Sequence, residues 1–238
     1  MSVRFVQVVT RALVDFLYPP TCVACGRFGA FFCERCVRRA DEERPSSRCP
    51  TCAAELDGAA CADCRRFHAV SRIVAPFAYR GVARRAVHAV KYGAVRAAVP
   101  ALAAALSERA GDLSAECAYA VPIHPVRRRQ RGFNQAEELR KALAIPAGPG
   151  RLQRVRRTRP QVGLSLEERR ANVAGAFAYE GPPLGGASVL LVDDVVTTGA
   201  TVEECARVLR AAGAGSVVVV AFARASVRLA DARSPIHD

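Results

Sequence analysis

The chain has 238 residues, an apolar fraction of 51% and a formal net charge of +13, enough for one large domain, or one domain plus a small module, with a core of its own. It contains no uninterrupted apolar run of membrane-spanning length, and the expectation is a protein without a membrane-spanning helix. The charge is uneven: residues 121–170 hold thirteen basic against four acidic side chains, +9 of the total, a patch suited to polyanions such as pyrophosphate or nucleic acid.

The first twenty residues are partly apolar but carry Arg4, Arg11 and Asp15, and no small-residue cleavage site follows. They read as an amphipathic helix ending at Pro19-Pro20 rather than a secretion signal. The helix packs on the body of the protein, or else meets a membrane surface or a partner. The expectation is a cytoplasmic protein.

Eight of the ten cysteines form four C-x-x-C pairs: Cys22/Cys25, Cys33/Cys36, Cys49/Cys52 and Cys61/Cys64. Without a secretion signal the pattern favours metal in a reducing compartment over disulfides. Zinc prefers four thiolates in a tetrahedron, so four pairs make two sites for two structural Zn2+ ions. Sequential pairing gives a double zinc ribbon over residues 21–68; interleaved pairing satisfies the same count. Phe28, Phe31, Phe32 and Leu56 are the main large apolar residues there, so metal would supply much of the folding energy. His68 is a spare ligand that the eight thiols leave without a role.

From residue 69 to 238 the sequence reads as one α/β domain. Arg72 to Tyr79 can form a strand, with Pro76 marking an edge or bulge. Val82 to Val90 is helical and ends at Lys91-Tyr92-Gly93. A second helix runs from near Pro100 to Ala110. Cys117 to Ile123 is a strand, followed by HPVRRRQRGFNQ over 124–135 and a helix from Phe133 to Leu143. Leu152 to Arg156 reads as an edge strand and Arg157 to Leu164 as a mobile loop. Ser165 and Glu168 are placed to cap a helix carrying Arg169, Arg170 and Asn172. The turn Gly181-Pro182-Pro183-Leu184-Gly185-Gly186 leads into the next strand.

That strand opens the stretch around which the domain is organised, VLLVDDVVTTGAT from Val189 to Thr201. Four apolar residues suit a buried parallel strand. Val202, Cys205, Ala206 and Leu209 then mark one face of a helix, with Thr201 and Glu204 as a capping box and Gly213 as its stop before a strand over Val217–Phe222. A helix N-terminus offers unpaired N–H groups and a partial positive charge to phosphate. Thr197, Thr198 and Thr201 add hydroxyls, and Gly199 permits close approach of the backbone. Asp193 and Asp194 stand at the carboxyl end of the strand, where open α/β sheets place ligands. Two acids beside a phosphate suit sugar hydroxyls or a bound cation. The groups together describe a site for a 5′-phosphorylated ribose.

This stretch resembles the motif with which type I phosphoribosyltransferases bind 5-phosphoribosyl-1-pyrophosphate (PRPP). The resemblance implies ligand contacts from Val195, Val196, Thr197, Thr198, Gly199, Ala200 and Thr201, and ribose orientation by Asp193 and Asp194. The segments Val121 to Gln135 and Arg157 to Phe177, together with the cysteine module, resemble the ComF family over nearly the whole chain. By that resemblance Pro122, Ile123 and His124 form a pyrophosphate loop to which Arg128 and Arg131 add charge. The loop carrying Arg157 and Arg159 closes over the reacting sugar. Lys91 has two readings: a phosphate ligand, or a solvated lysine at a helix end. Gln161 and Asn172 can serve as structural hydrogen-bonders.

The fold implied is a parallel sheet with helices on both faces, preceded by the double ribbon. The function implied is binding of PRPP with Mg2+, in a protein of DNA uptake and natural competence that binds single-stranded DNA through Arg127, Arg128, Arg129 and Arg131, alongside other uptake proteins such as a helicase. The same motifs suit an enzyme that transfers the phosphoribosyl group to a nucleophile. Purine or pyrimidine salvage is the alternative, although no base-recognition motif names an acceptor.

Overall fold

The computed structural model describes residues 19–225 apart from 57, 59–60, 94 and 160–162. The helix expected over 1–20 lies, but for its two prolines, outside the described residues, as does Gln161. Seven helices are found among the described residues: α1 (Glu34–Glu42), α2 (Gly81–Tyr92), α3 (Val99–Ala110), α4 (Pro125–Arg131), α5 (Gln135–Ala142), α6 (Leu166–Val173) and α7 (Ala200–Ala211). The strands are β1 (Arg72–Val74), β2 (Phe77–Ala78), β3 (Cys117–Ala120), β4 (Arg151–Arg154), β5 (Phe177–Glu180), β6 (Ser188–Val196) and β7 (Ser216–Arg224).

The main sheet is parallel, in the order β1-β7-β6-β3, with β2 also paired to β7. In register, Leu191 lies between Tyr119 and Val219. β1 and β2 form one edge, interrupted at Ala75-Pro76, where proline has no N–H to donate. Strand residues alternate between faces. Val189 and Leu191 join Val217 and Val219 in the core under α7, which contributes Val202, Cys205, Ala206 and Leu209. Leu190 and Val192 join Val220 and Phe222 in the opposite core, under α2, α3 and α5.

The cysteine module is divided between these faces. Cys22, Cys36 and Phe32 belong to the α2/α3 core, with Phe32 edge-on to Phe222 at 5.9 Å between ring centres. Arg85 Nε donates to Ala24 O at 2.8 Å, and Arg109 Nε pairs with Asp41 at 2.8 Å. Cys49 and Cys52 belong to the α7 core. There Ile73 N donates to Thr51 O at 2.7 Å and Arg48 Nη1 to Pro76 O at 2.9 Å. The two halves of the module thus straddle the β1/β2 edge.

Five local expectations are corrected. The strand expected over Cys117–Ile123 pairs only to Ala120; Val121 N still bonds Val192 O at 2.9 Å, and Pro122 then ends the ladder. The segment after it holds α4, which starts at Pro125 with His124 as N-cap; its charged residues carry no apolar stripe to announce it. The helix expected from Phe133 starts at Gln135, because Asn134 caps it. β4 pairs antiparallel with β5, a strand the sequence did not announce, and is not an edge of the main sheet. The Thr201–Glu204 capping box does not form. Gly199, at φ 84°, is the N-cap of α7, and Glu204 instead accepts from Gly175 N at 2.7 Å and pairs with Arg207. The box expected from Ser165 and Glu168 does form, with bonds of 3.2 and 2.6 Å.

Candidate functional site

The carboxyl end of β6 opens into a cavity of about 220 Å³. Its floor is Asp193, Asp194, Val195 and Val196, and Thr197, Gly199 and Thr201 lead into the N-terminus of α7. Thr198 is buried, its hydroxyl accepting from Ala200 N at 3.4 Å. Thr198 and Ala200 face a separate pocket beside Arg66 and Arg170. Gly199 is required twice over: its φ is positive, and a Cβ there would collide with the Phe67 ring.

Adjacent strand residues point to opposite faces. Asp194 meets Lys91 from the last turn of α2, Nζ to Oδ1 2.9 Å, both side chains about four-fifths buried or more. Burial disfavours the Lys91 ammonium, but the charge and hydrogen bond of Asp194 outweigh it and raise its pKa above the ordinary lysine value. Asp193 lies on the side of α7. Its carboxyl is pushed up to about 8, first by desolvation and then by the Asp194 charge, with Lys91 pulling against both. Burial, and then the Asp193 charge, raises the Cys205 thiol well above its usual value, so Cys205 is a core residue, as its helical position implied.

The opposite wall comes from the segment after β3. Pro122 and Ile123 line the cavity with Arg127 and Arg131 of α4, and the Arg131 guanidinium sits 5.2 Å over the Tyr92 ring. The run Gly132-Phe133-Asn134-Gln135 explains itself residue by residue. Gly132 ends α4 in a left-handed conformation at φ 77°, and Phe133 is buried. Asn134 accepts from Ala136 N at 3.2 Å to cap α5 and donates to Val121 O at 3.0 Å. Gln135 is 3% exposed and presents an amide nitrogen with no partner among the described residues. Arg154 also lines the cavity, its Nε buried and without a partner among the described residues. Gln135 and Arg154 are two polar groups awaiting an acceptor that sequence reasoning had not assigned to the site; their burial, not their type, marks them.

Other expected contacts lie elsewhere. His124 caps α4, Nδ1 accepting from Val126 N at 3.3 Å, and does not line the cavity. Desolvation and then the charges of Arg154 and Arg157 lower its pKa. Arg128 opens into a different cleft of about 500 Å³ shared with Arg96, Arg140, Lys141 and Arg151 and with two acids, Glu137 and Glu138. Arg129, Arg157 and Arg159 are exposed. Asn172 holds the Arg159 backbone on both sides, accepting from its N–H at 3.0 Å and donating to its carbonyl at 2.9 Å, a structural hydrogen-bonder as one sequence reading had it.

The eight C-x-x-C cysteines form two separate clusters, Cys22/Cys25/Cys33/Cys36 and Cys49/Cys52/Cys61/Cys64, which could each hold a structural zinc ion. The pairing is the sequential one. Sulfur separations of 3.7 and 3.8 Å in the first cluster, and 3.3 and 3.4 Å in the second, approach the roughly 3.8 Å edge of a tetrahedron with ~2.3 Å metal–sulfur bonds. Burial disfavours the thiolate at Cys22 and Cys49. Backbone N–H groups aimed at the sulfurs, helped by neighbouring thiols, still hold these pKa values down to about 6 and about 7. His68 lies outside both clusters.

Residues 130–236 match the phosphoribosyl transferase domain family. That span takes in the arginine-rich segment from Gln130, β6, the Thr-Gly turn and α7. The chain is 39% identical over 111 residues to Competence protein F of Haemophilus influenzae, covering 44% of this chain and 48% of that one. It is 41% identical over 108 residues to the DNA utilization protein YhgH of Salmonella typhi, and 38% identical over 108 residues to the same-named protein of Escherichia coli K12, in each case 44% of this chain and 47% of the relative. The chain spans about half the length of the curated relatives it matches. With the two four-cysteine clusters, these matches bear out the ComF-family resemblance. No helix among the described residues is long and apolar enough to cross a membrane.

Proposed function

We propose that the cavity at the carboxyl end of β6 binds PRPP together with Mg2+, in a protein that serves DNA uptake. The observation that carries this reading is the convergence of Asp193 and Asp194 with the Thr197–Thr201 turn at the N-terminus of α7, ringed by Lys91, Arg127, Arg131 and Arg154. The turn and the helix end suit the 5′-phosphate. The acids suit the ribose hydroxyls. Arginines on the opposite wall suit the pyrophosphate, because their planar fork can hold phosphate oxygens bidentately. Arg157 and Arg159 would join them once a ligand is present.

In a transfer reaction the bond from the anomeric carbon to pyrophosphate breaks as a nucleophile bonds to the same carbon. Mg2+ would neutralise the departing pyrophosphate, held by substrate oxygens more than by protein. The chain's own residues would supply positioning and charge complementarity. The DNA-uptake role draws on the relatives named Competence protein F and DNA utilization protein and on the basic surface beyond the cavity, where Arg128 and Arg129 suit single-stranded DNA. A second reading, a phosphoribosyltransferase of nucleotide salvage, rests on the domain match alone.

Calorimetry of the metal-loaded protein with PRPP and Mg2+, followed by a pyrophosphate-release screen over nucleobases and oligonucleotides, tests these readings. Saturable PRPP binding supports the site. Pyrophosphate release with a free base would favour salvage. Absence of PRPP binding would overturn the ligand assignment.

A further inference from the structure

Arg224 closes the last strand of the sheet and is 2% exposed. A guanidinium so deeply buried must be paired and fully hydrogen-bonded to be tolerated. Besides the carbonyl of the next residue, Ala225, to which Nη1 donates at 3.2 Å, its partners fall into two groups. On one side, Nε donates to Cys52 O at 3.2 Å and Nη2 pairs with Asp63 Oδ2 at 3.0 Å; Cys52 is one of the second cluster's four thiols, and Asp63 precedes another. On the other side, Nη1 donates to Val196 O at 3.1 Å and to Thr197 O, the two residues that open the turn into α7. One planar side chain therefore joins the second cysteine ribbon to the backbone of the ligand turn.

Neighbouring contacts repeat the connection. The Phe67 ring, just after Cys64, packs against Gly199. The Glu203 carboxylate, in the first turn of α7, accepts from the backbone N–H groups of His68 and Ala69 at 2.9 Å and of Val70 at 3.3 Å. Arg170 Nη2 donates to Arg66 O at 3.1 Å. Among the described residues the first ribbon has no such contacts to the turn: its anchors go to α2, α3 and Phe222 on the other face.

We propose that Arg224 is a positioning residue through which the metal-held second ribbon sets the shape of the Val196–Thr201 turn, so that ligand affinity at the turn depends on the second metal and not on the first. The proposal rests on the PRPP reading of that turn only for the identity of the ligand. The shape dependence itself belongs to the protein without ligand. An ammonium at position 224 cannot span Asp63, Cys52 O and the two turn carbonyls at once, because lysine lacks the planar fork. Arg224→Lys therefore keeps the charge and loses the bridge.

The test compares wild type, Arg224→Lys, a second-ribbon variant (Cys61→Ser with Cys64→Ser) and a first-ribbon variant (Cys25→Ser with Cys33→Ser). Metal content is read by elemental analysis, fold by circular dichroism, and the turn by amide hydrogen exchange. Arg224→Lys is expected to retain both metals and its fold while exchange over residues 196–201 speeds by about tenfold or more. The second-ribbon variant should lose the second metal and show the same acceleration over 196–201, whereas the first-ribbon variant should lose the first metal and leave that exchange unchanged. Titration with PRPP and Mg2+ should show affinity falling about tenfold in parallel. If wild type binds no PRPP, the ligand assignment fails and exchange still decides the coupling. Unchanged exchange in a folded Arg224→Lys protein, or equal acceleration when the first ribbon loses its metal, would overturn the proposal.

Discussion

Lys91 Nζ lies 2.9 Å from Asp194 Oδ1, so the lysine at the end of α2 is an ion-pair partner of the ligand-site acid. It is not a solvated helix-end lysine; it lines the cavity as the partner of Asp194. A ligand entering the cavity meets one carboxylate already neutralised and a second, Asp193, that resists ionisation. The resting site is therefore less acidic than its two adjacent aspartates suggest, which suits an anionic ligand.

Replacing Lys91 by methionine keeps most of the volume and removes the partner of Asp194. Stranding a buried carboxylate costs ~3–5 kcal/mol when burial is complete; with this pair partly exposed, a loss of about 1–3 kcal/mol is expected. PRPP affinity should fall as well, since repulsion from Asp194 is restored. Urea unfolding and calorimetry measure the two effects. A variant as stable as wild type and binding as tightly would mean that the pair contributes nothing.

The pH dependence follows from Asp193. Its folded-state pKa, about 8, lies above the ordinary carboxylate value. The stabilising contribution of its protonated form is thus complete below about pH 4 and is lost as pH rises through about 8. Stability of the ligand-free, metal-loaded protein should fall between pH 6 and 8.5, with a slope from this group of at most about 1.4 kcal/mol per pH unit. Asp193→Asn should flatten that slope and leave the protein at least as stable at pH 8. The double variant with Asp194→Asn should fold and fail to bind PRPP. Denaturation series at several pH values read the first, calorimetry the second; a slope unchanged by Asp193→Asn would refute the burial argument.

Elemental analysis of protein purified under reducing conditions should give about two zinc ions per chain, by the four-thiolate rule. Acid should release them, since thiolates must be protonated for the metal to leave. One ion per chain, or persistent disulfides in reduced preparations, would contradict two four-cysteine sites.

The turn and the helix after β6 were legible because an apolar strand, a Thr-Gly turn and a 3.6-residue stripe coincide within Val189 to Leu209. The two four-cysteine sites were legible as a count, but their pairing was not, because sequential and interleaved grouping use the same eight thiols and only the fold brings Cys22/Cys25 to Cys33/Cys36. The Lys91–Asp194 pair and the Arg224 bridge were not legible either, since both join residues remote in sequence and nothing in local composition encodes such a meeting. Helix α4 escaped notice because PVRRRQR buries no residue, and periodicity reports only helices that do. The only warning of Arg224 was a charge closing an otherwise apolar run.

The arginines of α4 divide by position. Arg127 lines the cavity at the end of β6, Arg128 the larger cleft, and Arg129 is exposed. Replacing Arg128 and Arg129 by alanine should weaken single-stranded DNA binding across all sequences. It should also flatten its salt dependence, whose log–log slope is roughly −0.7 per neutralised phosphate, and leave PRPP affinity intact. Arg127→Ala should reduce both. Titrations of a labelled oligonucleotide at several salt concentrations check this. No binding at low salt, or binding untouched by the double substitution, would confine the function to the phosphoribosyl site.

The ribbons straddling the β1/β2 edge also set an order of assembly. Each four-cysteine loop is short and can close on its metal soon after synthesis, yet Asp63 must wait for Arg224, 161 residues later. β1, too, has no strand to pair with until β7 is made. Contacts this distant in sequence slow folding, because loop closure precedes any gain from them. The ribbons are made before the strand that seats them and are thus among the last parts to be seated; a metal held by each four-cysteine cluster would keep its thiols together until then.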